Sequence, residues 1–209
     1  MNDQTKGILL TILGVLFVVP DSLFIRIISA NVYTIIVWRS FFTGFFILFG
    51  LFIYHRANIL NVFRNIGWNA ILFGFFFGIS GPMFAMSVSL TAVSNTVFII
   101  ATMPVFSAFS SWLLMGERIS RRMVWTIGFA LSGIAVIAYG SSQNEATSLW
   151  GDFLAVGTAA SFGTALTFAR KSKASSMIPV MPFALAAVSL AFLPWASPFV
   201  MGPRDVPLV

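Results

Sequence analysis

Apolar residues run along this chain in seven long blocks separated by short polar joints: 7–29, 32–54, 67–90, 93–115, 123–140, 149–169 and 178–200. Each is close to the roughly 20 residues of helix that a hydrocarbon layer about 30 Å thick demands. None alternates apolar and polar residues with a period of two, so the pattern predicts helices and not barrel strands. Polar and turn-forming residues collect in the joints, as in 55–61, 116–122 and Ser141-Ser142-Gln143-Asn144-Glu145. No joint is long enough to hold a soluble domain. The predicted fold class is an all-α integral membrane protein with about seven transmembrane helices, here numbered spans 1 to 7, and its first partner is the lipid bilayer.

Composition sharpens this reading. The chain is 58% hydrophobic and 9% charged, whereas a water-facing domain carries roughly 25% charged residues. Lys and Arg outnumber Asp and Glu by 12 to 6, yet the basic residues are spread over short joints and form no nucleic-acid footprint. They report orientation instead. With the N-terminus in the cytoplasm, Lys6, Arg56, Arg64, Arg118, Arg121, Arg122, Arg170, Lys171 and Lys173 fall inside, against Arg204 alone outside. That is a strong positive-inside bias. The expected location is the plasma (inner) membrane, multi-pass, with a cytoplasmic N-terminus. The first apolar block is too long for a cleaved signal, contains Asp21 and lacks a small-x-small cleavage site, so it reads as a retained span. There is no cysteine, which excludes disulfides and thiolate metal sites.

An offset of 144 residues aligns Gly7, Leu10, Phe24, Arg26 and Ala30 with Gly151, Leu154, Phe168, Arg170 and Ala174. Span 6 then corresponds to span 1, and the repeating unit has five spans. An odd unit enters the membrane upside down in its second copy, an arrangement that builds the two rocking halves of many secondary transporters. Three passages carry a likeness to known proteins: Gly7 to Arg39, with Pro20-Asp21 and Trp38-Arg39; Asn95 to Arg118, with Pro104 and Glu117; and Gly133 to Gly140, followed by Gly151-Asp152. On these residues the chain resembles the EamA-type branch of the drug/metabolite transporter superfamily. The resemblance implies a ten-helix exporter or exchanger of small molecules built as five plus five inverted helices. Residues 1–140 would form the first repeat and 141–209 an incomplete second one, so the sequence reads as truncated after the seventh span.

Charges inside spans are the natural candidates for function. A charge at mid-bilayer costs about 2.5–3.5 kcal/mol on insertion scales. Helical rise puts Asp21 and Arg39 roughly 10–12 Å beneath the same face of neighbouring spans. They can meet as a structural ion pair or line a water-accessible pathway. Trp38 and Asn95 join them as pathway candidates. Arg26 is explained by snorkelling to the interface. Pro20, Pro82 and Pro104 each remove a backbone donor within a span and are expected to kink or break it. Glu117 sits among Arg118, Arg121 and Arg122, which a salt-bridged loop accounts for. The resemblance adds a gating role for it. The Gly74-x-x-x-Gly78 face, and more softly Gly128 and Ser132, is expected to pack within the bundle ahead of making a homodimer.

Other chemistries fail on missing residues. Gly78-Ile79-Ser80-Gly81 matches the GxSG of rhomboid proteases, but the single histidine, His55, lies at the edge of span 2, out of reach of Ser80. Span 7 has no lysine for a retinal Schiff base, and no phosphate-cradling GxxxxGK[ST] loop occurs. Clustered metal ligands are absent from the sequence. No cofactor, no metal site and no nucleic-acid partner are therefore expected, and the chain reads as no enzyme. The expected function is secondary transport of an unidentified small-molecule substrate. The alternative is a non-transporting membrane protein or scaffold subunit that needs a partner to supply further helices.

Overall fold

The computed structural model describes residues 30–55, 59–64, 66–117, 120–142, 148–172 and 177–197, together with residues 5, 7, 9, 25 and 28. The described residues are mostly helical, with no strand among them, and six of the helices are long and apolar enough to cross a membrane. They are span 2 (Val32–His55), span 3 (Trp68–Leu90), span 4 (Val93–Met115), span 5 (Met123–Gly140), span 6 (Leu149–Lys171) and span 7 (Ile178–Trp195). Most of span 1 lies outside the described residues, though Ile25 and Ile28 are buried with Ile35, Ile36, Ala85 and Val88. Exposed tryptophans stand at both ends of the bundle: Trp68, Trp112 and Trp125 at one, Trp150 and Trp195 at the other. These are the amphipathic belts expected where helices leave lipid for water.

Three details depart from the sequence pattern, each for a local reason. The joint after span 2 contains a short helix, Ile59–Arg64. Span 3 runs unbroken through Pro82, which is buried in its interior, so the expected break does not occur there. Losing one i to i−4 hydrogen bond is tolerated in a membrane helix held by its neighbours. Span 7 ends at Trp195 and not at 200: Pro194 closes a last 3-10 turn and Ala196 is already extended. Span 4, in contrast, is broken as expected. It consists of Val93–Ile100 and Met103–Met115. Pro104 cannot donate to Ile100, and Thr102 fills the gap by bonding the Ile99 carbonyl through both its N–H (3.0 Å) and its hydroxyl (2.6 Å).

Helices adjacent in sequence are not the principal neighbours. Span 3 packs most heavily on span 6, span 2 on span 7, and span 4 on span 6. Spans 6 and 7 barely touch, because span 3 lies between them. Small residues permit this. Cβ atoms added to Gly74 and Gly78 would sit 3.1 to 3.6 Å from Val180 and Ala184 or from Val188 and Ala184. The glycine face of span 3 therefore packs inside the bundle, while Gly128 meets nothing within 4 Å. On its other side, span 3 stacks Phe76 on Phe168 and tilts Phe77 against Phe162. Span 5 is peripheral, with none of its apolar stretch buried.

Candidate functional site: the seam of span 6

Span 6 carries small residues at every fourth position, Gly151, Ala155, Ala159, Gly163 and Thr167, and all five are buried. That spacing lines one helix face and lets two backbones approach closely. At Gly163 a Cβ would fall 2.8 Å from the Met103 carbonyl oxygen and 2.9 Å from the Ser107 nitrogen. At Gly151 it would fall 2.7 Å from the Thr91 Cβ and 2.9 Å from the Thr91 nitrogen. Only glycine fits either contact. Gly163 therefore abuts span 4 beside its break, and Gly151 abuts the end of span 3.

Close approach brings hydroxyl groups into register along the seam. Ser110 and Thr164 share a hydrogen bond of 2.8 Å, and Ser107 and Ser111 lie 3.4 and 3.5 Å from the Thr167 hydroxyl. Thr164 and Thr167 also bond back to the carbonyls of Ala160 and Gly163, so each hydroxyl has a partner independent of water. Such bonds are worth roughly 0.6–2 kcal/mol each between membrane helices. They hold spans 4 and 6 together while adding no charge.

A charged or ionisable side chain of span 6 meets the first five spans at either end of this seam. At the basic end, Arg170 donates through Nη2 to both Glu117 oxygens at 3.3 and 3.4 Å and through Nη1 to Ser111 at 3.3 Å. Glu117 is placed there by Gly116, whose left-handed φ of 68° caps span 4 and turns the chain toward span 6. Both charged side chains remain about half exposed. At the opposite end Thr91 donates to Asp152 Oδ1 at 2.8 Å. This contact is buried, since Asp152 is 5% exposed and Thr91 0%. Asp152 Oδ2 is buried as well and accepts no hydrogen bond. Beside it Ser87 and Thr96 pair at 2.9 Å.

The residues singled out from the sequence are spread more widely. Pro20 and Asp21 lie outside the described residues. Arg39 is half-buried with its guanidinium 5.5 Å from the Phe84 ring, a cation–π contact that joins spans 2 and 3. Trp38 stacks on Phe42 at 5.4 Å within its own helix. Asn95 is half-buried in the first turns of span 4, and Pro104 is exposed just past the break. Glu117 belongs to the seam, and its described partner is Arg170 and not the adjacent Arg121. The sequence offers Asp152 as the opening of span 6 and Thr91 among the hydroxyls at the turn between spans 3 and 4, but neither their pairing nor the serine–threonine ladder. Arg170 enters it as an orientation charge and as the repeat counterpart of Arg26, without a partner. A signal was present: residues 65–116 contain no charge at all, so the nearest charged or ionisable groups on span 6 carry weight out of proportion to their number.

A bundle of apolar helices with tryptophan belts, close-packed through glycines and joined by hydroxyl bonds, defines a multi-pass helical membrane protein. The chain belongs to the EamA-like transporter family, which matches it over residues 5–139. It is accordingly a membrane transporter of small molecules. No curated protein and no solved structure matches it significantly.

Proposed function

We propose that the chain is a secondary transporter of small metabolites or drugs, an exporter or exchanger that works by alternating access. The span 6 seam carries this reading. Spans 3 and 4 hold no charge, yet span 6 meets them through a ladder of hydroxyls with an ionisable contact at either end. A surface of this kind can part at one end while the other stays closed, and parting leaves only hydroxyls to be rehydrated along its length. The packing of span 2 on span 7 supports the same reading, since a five-span repeat makes these two equivalent. An axis between inverted units passes through such a pair.

In this mechanism Glu117–Arg170 closes the basic end and Thr91–Asp152 the opposite one. Asp21 and Arg39 are the coupling candidates on the pathway side of spans 1 and 2, and the chain sits in the plasma membrane with its N-terminus and basic end in the cytoplasm. A homodimer would use the exposed face of span 5. The decisive experiment is flux in proteoliposomes containing the wild type or Asp21→Asn. Counterflow of labelled amino acids, sugars and nucleosides and efflux of ethidium would be recorded. Flux by the wild type that Asp21→Asn diminishes supports the assignment. No flux of any probe from a well-folded preparation favours the scaffold reading.

A further inference from the structure

Spans 4, 5 and 6 enclose a groove of about 620 Å³ on the flank of the bundle, walled by residues such as Phe106, Leu113, Leu131 and Phe168. Its few polar side chains are already satisfied by the protein. Ser110 pairs with Thr164, and Thr102 bonds the Ile99 carbonyl. What the groove offers an occupant is therefore an apolar surface alone. Its mouth is different. Leu114, one of the lining residues, accepts a hydrogen bond from Lys171 Nζ at 3.4 Å, which holds an exposed ammonium at the basic end of the groove. Arg121, also exposed, is the first residue of the helix Arg121–Ser142 that contains span 5, and stands at that same end. The one described carboxylate at this end of the bundle, Glu117, is engaged by Arg170.

We propose that this groove holds an acyl chain of an anionic phospholipid whose phosphate rests on Lys171 and Arg121. An apolar slot beneath positive charge that no second described carboxylate neutralises matches an amphiphile with a negative head, and basic pockets between membrane helices recognise such lipids. A neutral apolar solute would gain nothing from the lysine. The stems of Lys171 and Arg121 reach the headgroup layer by extending along the helix surface, as long basic side chains do at helix ends.

Native mass spectrometry of the purified full chain tests this, with phosphatidylglycerol or phosphatidylcholine of identical acyl chains added to the detergent. Phosphatidylglycerol is expected to bind more tightly. Lys171→Ala and Arg121→Ala should each weaken it by about five-fold, the effect of one basic residue near an anionic lipid surface, while leaving phosphatidylcholine unchanged. Ala130→Phe, which fills the groove from a helix with no buried apolar stretch, should weaken both lipids; Leu131→Trp provides a second filling variant, and unchanged elution and melting verify folding. Equal binding of the two lipids by the wild type would overturn the proposal. So would unchanged phosphatidylglycerol binding in Lys171→Ala, or in folded groove-filled variants.

Discussion

Arg170 and Glu117 stand 53 residues apart in the chain, yet the guanidinium of one lies 3.3 Å from the carboxylate of the other and joins the basic ends of spans 6 and 4. Its counterpart at the far end, Thr91 with Asp152, is shorter and shut away from solvent. The two ends of the seam are therefore unequal. An exposed ion pair contributes about 0–1 kcal/mol, whereas leaving a buried acceptor without its donor costs about 1–3 kcal/mol. The basic end is the one that parts more readily from this conformation.

The first prediction tests that inequality. Glu117→Gln should lower stability in detergent by no more than about 1 kcal/mol, as expected for an exposed pair. The exchanged double variant Glu117→Arg/Arg170→Glu should recover whatever flux either single reversal loses. Thermal unfolding and proteoliposome flux measured on the same preparations check both parts. A loss of several kcal/mol on Glu117→Gln would show the pair to be a structural tie.

At the opposite end the expectation reverses. Thr91→Val removes the only described donor to the Asp152 side chain and should cost about 1–3 kcal/mol, the penalty for a buried acceptor left without its partner. Thr91→Ser retains the hydroxyl and should cost less than half as much. Equal melting of the two variants would mean that the bond itself contributes nothing.

Packing supplies a third test. Gly163→Ala drives a methyl group into the Met103 carbonyl and the Ser107 nitrogen, and overpacking of this kind costs about 1–3 kcal/mol. Gly128→Ala has open space around it and should be neutral or gain up to about 1 kcal/mol from helix propensity. The pair of melting temperatures distinguishes a specific contact from a general intolerance of larger residues.

Arg39→Ala should impair transport more than Arg204→Ala, because Arg39 lies within a span and contacts the Phe84 ring from span 2. Initial rates in proteoliposomes decide it. Equal rates for the two variants would remove Arg39 from the pathway.

The sequence made the helices legible because lipid is an unforgiving solvent: apolar runs of the right length have few alternatives. The close face at Gly74 and Gly78 and the break in span 4 near Pro104 were readable from single residues, since each is a local steric consequence. The helix of span 3 runs on through Pro82 with spans 6 and 7 packed along it, partners that no local pattern names. The same reason hid the site. Ser110 meets Thr164 and Thr91 meets Asp152 across 54 and 61 residues of chain, and no local pattern says which of several similar serine or threonine faces will meet. Arg170 is visible in the sequence as a positive charge at the membrane edge and as the repeat counterpart of Arg26, but not as a partner of Glu117. Its pairing with Glu117 depends on the turn at Gly116 and on span 6 lying beside span 4.

Because span 3 lies between spans 6 and 7, it cannot be completed when it is made. A ribosome that has just released Leu90 leaves both flanks of that helix bare, and they stay bare until residues 149–195 have been threaded into the bilayer. During this interval the Gly74 and Gly78 face of the helix is open to wrong partners, including quality-control proteases. The flanks of span 3 are thus covered only on the arrival of spans 6 and 7, and slowing translation near codon 145 should lower yield more than slowing it earlier.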